Sequence, residues 1–545
     1  MKIRIAKKAG FCMGVRRAVN LVLEALNKKK YPIYTYGPLI HNPQTLELLN
    51  KLGVKIIKDF KNDSPSGVCI IRAHGIPPQE KEELSKKHEI LDGTCPRVLK
   101  VQALAKKAIS EGKEVVIIGD KEHAEIKGIL GYCQNKGYVV SSFEDLKNLP
   151  ELKNYVILSQ TTQDEKLFQE ISQAILKKYP KGEIINTICK ATEVRQNEVR
   201  NLSKKASSII VIGGKFSANT NRLAEIAKKE GKKVYLIEKP EEIPLEEIKK
   251  EKSVAITAGA STPNWLINEV VDFLKSHTSK FYLFLKHFSF LSFLHSFNLV
   301  LLFWGFLNFT YPLNQKNFFL LLSLFSFLML KYNLENLQNL RSFEFYYSIK
   351  AIFIKKHEKL IKFLLLFFSL SCAISSILYH PKVLALFIVL LILNQALFRS
   401  LFHFIMEPLI FTALILFFYP LFNLSFFLIF LQTLFILIFL HLYFESVYSQ
   451  TDGFLPSNFL FALLGYKEEK LYKLMLFLIF LGIIFTLPLI FINKFFIILL
   501  LLWLFAYKLY VFSKNRPLGQ IVYLENLSFI LPFTFSLLSI ILSYV

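Results

Sequence analysis

Beyond Ser279 the sequence passes through nine apolar stretches, at roughly 288–308, 317–331, 361–379, 383–398, 402–420, 423–443, 471–491, 494–512 and 526–544. A bilayer's hydrocarbon core takes about 20 apolar residues of helix to cross. Lipid offers no water to an unpaired peptide group, so such runs must satisfy their own backbone as they cross. They predict an all-α polytopic membrane domain of about nine transmembrane helices over 280–545. The whole-chain hydrophobic content of 53% therefore averages two unlike halves. At 545 residues the chain is also too long for a single core.

Orientation follows from the cations between the runs. With the amino half in the cytoplasm, the inward connections carry Arg341, Lys350, Lys355, Lys356, Lys359, Arg399, Lys467, Lys470, Lys514 and Arg516. The outward ones offer Lys316 and Lys382, with Lys494 at the edge of a span. That asymmetry fits the positive-inside rule. The opening MKIRIAKKAG has no apolar export segment. The expectation is a multi-pass protein of the cell inner membrane, in contact with the lipid bilayer, its amino half cytoplasmic. The formal charge of +24 raises nucleic acid as a partner. It is set aside, because the soluble half interleaves no basic stretch with stacking aromatics.

Within 1–279 the pattern is different. The runs KIRIA, PIYTYG, GVCIIRA, EVVIIGD, YVILSQ, SIIVIGG, KVYLIE and SVAITAG are strand-like, and amphipathic segments such as RRAVNLVLEALNKKK lie between them. Alternation of this kind predicts an α/β domain with mostly parallel sheets. Several runs end in a glycine or turn, where open α/β sheets bind ligands. EVVIIGD and SIIVIGG read as related units, a sign of internal repetition.

In a cytoplasmic domain the six cysteines point to metal, catalytic or buried roles rather than disulfides. Cys69 in GVCIIRA, Cys372 in an apolar span and Cys133 in GYCQNKG read as structural. Cys12 in AGFCMG, Cys95 in DGTCPR and Cys189 in NTICKATEVRQ sit where a strand gives way to a helix. A thiolate there is stabilised by the helix amino end and available as a ligand. Their wide spacing is unlike the paired CxxC of zinc. They can meet around an iron–sulfur cluster with one open iron, and by spacing alone three unrelated roles stay open too.

His41 in LIHNPQ, His74 in RAHGIPP and His123 in GDKEHAE each stand in a turn after a strand-like run, with Glu125 two positions beyond the third. Imidazoles can bind a diphosphate, and a carboxyl group can pass a proton. Thr161 and Thr162 in SQTTQ, Ser217 and Asn219 in GGKFSANTNRL and Ser261 in TAGASTP add hydroxyls and an amide at similar places. Helix capping explains Ser and Asn equally well one at a time.

Taken in order, AGFCMGV, LIHNP, RAHG, DGTCP, GDKEHAE, SQTT, TICKAT, GGKFSANTNRLAE and TAGASTP resemble the LytB/IspH family of 4-hydroxy-3-methylbut-2-enyl diphosphate reductases, through nearly all of 1–275. The resemblance implies a three-lobed α/β reductase domain over 1–279, with a [4Fe-4S] cluster held by Cys12, Cys95 and Cys189. It implies that His41, His74, His123, Ser217, Asn219 and Ser261 bind the diphosphate. Thr161 serves the hydroxyl, Glu125 is the proton donor, and a ferredoxin or flavodoxin supplies electrons. Two positions depart from the family pattern: Ala124 stands where proline is common, and Ala218 where a second serine is.

The stretches NLENLQNLRSFEF and YFESVYSQTDGFLPSNFLFALLG resemble the two aspartate-rich loops of the UbiA prenyltransferases, which bind Mg²⁺-diphosphate. Glu445 and Asp452 fall on motif positions, and Asn336 and Glu344 match the first loop. Tyr448, Leu337 and Leu340 replace carboxylates that such chemistry needs. The reading is a UbiA-like fold of doubtful catalysis. The rival expectation makes the membrane half a prenyltransferase or transporter, and the soluble half its cluster-bearing sensor or accessory module.

Overall fold

The computed structural model describes residues 1–28, 31–59, 65–134, 136–308, 315–338, 340, 348–397, 410, 412, 424–448, 468–492, 498–515 and 521–543. Its contacts divide the chain into two compact units, Met1–Val270 and Val271–Val545.

The first unit is built on strands β1 (Lys2–Ile5), β2 (Ile33–Tyr36), β3 (Val54–Ile57), β4 (Val68–Ile71), β5 (Glu89–Asp92) and β6 (Glu114–Ile118), continued by β7 (Tyr138–Val140), β8 (Tyr155–Ser159), β9 (Gly182–Ile184), β10 (Ser208–Ile212), β11 (Lys233–Ile237) and β12 (Ser253–Ala258). They form three four-stranded sheets, ordered β1-β12-β10-β11, β3-β2-β4-β5 and β7-β6-β8-β9. Every pairing is parallel. Parallel neighbours need crossovers. The helices are α1 (Met13–Asn27), α2 (Pro43–Lys51), α3 (Pro78–Ser85), α4 (Pro96–Ser110), α5 (Ala124–Tyr132), α6 (Glu165–Lys178), α7 (Lys190–Ser203), α8 (Ala218–Lys229), α9 (Leu245–Ile248) and α10 (Asn264–Thr278). Of these α2, α3, α5, α6, α8 and α9 lie on crossovers within a sheet, α1, α4 and α7 lead from one sheet to the next, and α10 follows the last strand.

Two of the sheets are continuous in sequence, β2 to β5 and β6 to β9. The third takes β10 to β12 and then borrows its fourth strand from the chain's first residues, Lys2 pairing with Ser253 and Ile5 with Ile256. Allowing for that borrowing, the three sheets repeat one plan. The related runs EVVIIGD and SIIVIGG become β6 and β10, which occupy equivalent central places. Central strands read as unbroken apolar runs because both faces are covered by helices. Val115 to Ile118 and Ile209 to Ile212 are accordingly inaccessible to solvent.

The second unit is helical. Three of its described helices are long and apolar enough to cross a membrane, Asn317–Gln338, Glu358–Tyr379 and Glu469–Ile490. A fourth candidate is a pair, Lys280–Phe290 and Phe293–Gly305, bent by 65°. Pro381–Gln395, Phe427–Leu440 and Leu499–Val511 are apolar but shorter. Nine spans were expected, and three or four meet the length test among the described residues. Apolar composition does not fix helix length, and a stretch of 10–14 residues suits a buried helix as well as a span. The run expected at 402–420 lies outside the described residues except for Ile410 and Thr412.

Many polar side chains inside this unit are matched locally. At the bend, the Asn333 amide donates to the Leu291 carbonyl at 3.1 Å, and the Asn336 amide donates to the Phe290 carbonyl at 3.3 Å and the Ser292 hydroxyl at 2.8 Å. These bonds serve carbonyls that the broken helix leaves free. Lys331 pairs with Glu335 at 3.0 Å, and the Asn394 amide donates to the same carboxylate at 2.9 Å. The Trp503 indole N–H donates to Gln432 at 2.9 Å, whose own amide donates to the Gly482 carbonyl at 2.9 Å and to Thr486 at 3.1 Å.

Candidate active site

Nine turns carry the residues singled out in the first unit, and each leaves the carboxyl end of a parallel strand. In every sheet one edge strand leads to a cysteine: β1 to Cys12, β5 to Cys95 and β9 to Cys189. The two central strands lead to the other groups: β2 and β4 to His41 and His74, β6 and β8 to His123, Glu125 and Thr161, and β10 and β12 to Ser217, Asn219 and Ser261. The carboxyl ends of open parallel sheets are where such folds bind ligands. Here three of them converge, and all eleven side chains line one cleft of about 730 Å³, part of it open to solvent.

Each cysteine is the residue that caps a helix, Cys12 for α1, Cys95 for α4 and Cys189 for α7. The Val15 N–H donates to the Cys12 sulfur at 3.5 Å. Burial pushes the Cys95 thiol up, the N–H groups of Arg97 and Val98 oppose that, and Cys12 and Cys189 stand near enough to act on it. Gly14 makes this approach possible, since a Cβ there would lie 2.5 Å from the Cys95 sulfur. Among the described residues, the only trio of His, Cys, Asp or Glu groups whose ligand atoms all lie within 4.8 Å is His41, His74 and His123. The three sulfurs are thus spread wider than a single tetrahedral zinc requires, at about 2.3 Å from each ligand. A larger cluster suits that spread.

Arg195 was not singled out from sequence. Only 6% exposed, it donates to the Gly10 carbonyl at 2.7 Å and the Ala191 carbonyl at 3.2 Å, and it feels the charges of Cys12 and Cys189. On an amphipathic helix an arginine reads as surface. The available signal was its place one turn after Ala191 and Thr192, which line the same cleft.

The imidazoles of His41, His74 and His123 cluster without stacking: ring centroids are 4.7 Å apart for His41–His74 and 5.9 Å for His41–His123, both tilted, and 5.3 Å for His74–His123, edge-on. Burial lowers all three, His123 to about 4, and the Arg72 guanidinium lowers them further. They are neutral at pH 7 and act as N–H donors. His123 Nδ1 accepts the Glu125 N–H at 3.2 Å, leaving Nε2 as its free donor. Glu125 is 1% exposed. Burial raises its carboxyl to about 7 against the opposing pull of Thr161, whose N–H lies 2.7 Å and whose hydroxyl lies 2.8 Å from the two carboxyl oxygens.

Ser217 does cap α8, its hydroxyl accepting the Thr220 N–H at 3.4 Å while it also lines the cleft. Asn219 caps nothing. Both of its amide atoms are buried without a partner, as is His74 Nδ1. Buried polar atoms without partners are rare and call for an explanation, here a ligand. Ser261 donates to the His41 carbonyl at 3.2 Å and so ties two sheets together.

Cys69 and Cys133 are fully buried, their thiols pushed up by burial to about 12 and about 11, and Cys372 is buried in Glu358–Tyr379. None lines the cleft. In the second unit Glu445 falls in helix Leu424–Tyr448, and its side chain lies outside the described set. Asp452 and Glu344 lie outside the described residues. Asn336 is spent on the helix bend.

A family model described as LytB protein matches residues 3–275. Relatives named 4-hydroxy-3-methylbut-2-enyl diphosphate reductase include that of Caldanaerobacter subterraneus subsp. tengcongensis, 42% identical over 280 residues, 51% of this chain and 97% of the relative. That of Aquifex aeolicus is 43% identical over 274 residues, 49% of this chain and 94% of the relative. A solved structure described as (E)-4-hydroxy-3-methyl-but-2-enyl diphosphate reductase, the terminal enzyme of the non-mevalonate pathway, is 41% identical, with TM-score 0.42, over 51% of this chain and 100% of that one.

Proposed function

We propose a reaction for this chain from the premise that it belongs to the LytB protein family: reductive dehydroxylation of 4-hydroxy-3-methylbut-2-enyl diphosphate. The allylic C–O bond breaks, two electrons and two protons are taken up, and the oxygen leaves as water. The products are isopentenyl and dimethylallyl diphosphate. Electrons come singly from a ferredoxin or flavodoxin.

Cys12, Cys95 and Cys189 would hold a [4Fe-4S] cluster, which their capping positions and wide spread fit. When bound, such a cluster supplies electrons one at a time and an iron with an open position that polarises a hydroxyl oxygen. Arg195, anchored on two carbonyls beside Cys12 and Cys189, offsets negative charge there.

The chain's own groups do the rest. The neutral imidazoles of His41, His74 and His123, with Ser217, Ser261 and the unpartnered Asn219 amide, offer donors to a diphosphate. Ala218 gives no hydroxyl, so this cradle has one donor fewer than a Ser-Ser pair. At the other end of the substrate Thr161 and Glu125 form a proton relay. A carboxyl titrating near 7 is poised to give a proton and be recharged at neutral pH. Protonated, it reverses the bond to Thr161, whose own hydroxyl proton then turns to the leaving oxygen. Water is excluded from this end, since Glu125 and Thr161 are both buried.

The observation that carries the reading is the Glu125–Thr161 pair in the same cleft as three capping thiols and an unpartnered Asn219. A sensor module would need the thiols alone. We place this reaction on the cytoplasmic face of the inner membrane, tethered by the helical unit. The test is an anaerobic assay of the full chain in detergent with the hydroxylated diphosphate and dithionite. Formation of both five-carbon diphosphates is expected. Absence of turnover in protein carrying four irons per chain overturns the reading.

A further inference from the structure

We infer that the helix Lys280–Phe290 lies along the membrane surface with its phenylalanines among the acyl chains, and that the cations beside it hold the headgroup phosphate of an acidic phospholipid. The inference rests on the membrane tether and is independent of the reductase chemistry.

This helix is built the wrong way round for water. Its buried side chains are Tyr282, Lys286, Ser289 and Phe290, of which the three polar ones fall four and three residues apart, on one side. There the Asp272 carboxylate accepts the Tyr282 hydroxyl at 2.9 Å and pairs with Lys286 at 2.6 Å. The other face carries Phe281, Phe284 and Phe288, the first two 65% and 63% exposed. An amphipathic helix of a water-soluble protein turns such residues toward the core. One that lies in the lipid interface turns them outward, with cations at the same level.

Ring contacts join that face to the exposed side of a membrane-length helix. Phe284 lies near-parallel to Phe288 with centroids 6.2 Å apart, Phe288 to Phe293 at 6.3 Å, and Phe293 meets Phe368 edge-on at 6.3 Å. Phe368 meets Phe367 at 5.1 Å, and Phe367 in turn lies 6.4 Å from Phe363. The exposed side of Glu358–Tyr379 changes character at that point, Lys359 and Lys362 giving way to Phe363, Leu366, Leu370 and Ile374. Long cations at the end of an apolar strip mark the level of the headgroups. The chain of phenylalanine rings brings Lys280–Phe290 to that same level.

A headgroup finds partners there. His287 and His357 meet edge-on, ring centroids 5.0 Å apart. The Nδ1–H of each donates to the carbonyl four residues earlier, Leu283 at 2.8 Å and Phe353 at 2.9 Å, which turns both Nε2 atoms away from their own helices. Lys280, Lys356 and Lys359 are exposed and engage no ion pair among the described residues. The neighbouring Glu358 is already paired with Lys362 at 2.6 Å, so a net positive surface adjoins the exposed phenylalanines. A soluble phosphate would use the cations and leave the rings in water, whereas an acidic phospholipid uses both.

The test is native mass spectrometry of the full chain in detergent, titrated with phosphatidylglycerol or phosphatidylcholine of equal acyl length. Wild type is expected to retain phosphatidylglycerol about tenfold better, and Lys356→Gln with Lys359→Gln to reduce that preference to about twofold. Phe281→Gln with Phe284→Gln should weaken retention of both lipids together. Equal retention of the two lipids by wild type overturns the proposal, as does an unchanged preference in the lysine variant. Displacement of phosphatidylglycerol by excess glycerol 3-phosphate overturns it in favour of a soluble anion. A chain that stays monodisperse without detergent overturns the membrane tether as well, whereas one that enters phosphatidylcholine vesicles and shows no lipid preference overturns this site alone.

Discussion

The two units set their buried polar groups in different surroundings. In the helical unit many pair off within a few ångströms, Lys331 with Glu335 and Asn394, Gln432 with Trp503 and Thr486, and those left over, such as Ser296 and Trp304, are scattered. In the three-sheet unit they gather at strand ends, and several face the cleft with nothing to bond, Asn219 and His74 among them. Partnerless groups that converge on one cleft call for a ligand, and His74 and Asn219 converge so in the first unit.

Cysteine replacement breaks the comparison most sharply. Replacing Cys12, Cys95 or Cys189 by Ser should take turnover to background and lower iron per chain, whereas Cys372→Ser should leave both unchanged, as read by iron assay and visible absorbance. Next comes Glu125→Gln, expected to slow turnover by about 10²–10⁴ while the cluster stays intact. In the wild type, activity that depends on the protonated Glu125 falls as pH rises through about 7. The sign for stability is the same. Because the folded value lies above the unfolded one, folding takes up a proton between the two, and the stability this gives is lost as pH rises through about 7. The Gln variant should therefore resist unfolding better than wild type at pH 8.

A change in the other unit sharpens the contrast from the opposite side. Gln432→Leu leaves the Trp503 indole N–H without its partner, costing about 1–3 kcal/mol of helical-unit stability, while dithionite-driven turnover holds. Denaturant melts followed by tryptophan fluorescence, run beside the assay, separate the two. The smallest effect belongs to Ala218→Ser. One added hydroxyl in the cleft should tighten substrate by up to about fivefold, on the order of 1 kcal/mol, seen in KM with kcat unchanged.

All eight strand-like runs of the first unit are strands in the structure, and the four strands not foreseen are β3, β5, β7 and β9. Each lies at a sheet edge. Their burial is only partial, β3 exposing its two middle residues and β5 and β9 having no fully buried residue, so no continuous apolar run marks them. Two of these edges deliver Cys95 and Cys189. The cysteines' local setting was thus legible, but the strand ends that bring them together were not. Motif order supplied what periodicity lacked. Arg195 stayed hidden because its burial arises from the meeting of α7 with the Gly10 turn, which no local pattern records. In the helical unit, apolar runs foretold helices, while the lengths of those helices depend on packing that composition does not encode.

The borrowed strand sets an order of events during synthesis. The sheets made of β2–β5 and β6–β9 have all their strands as soon as they leave the ribosome, but β1 must wait for β12, some 250 residues later. Until then Cys12, at the end of β1, is not held beside Cys95 and Cys189. The thiol trio is therefore assembled only after the whole three-sheet unit has been made, whatever group it then receives.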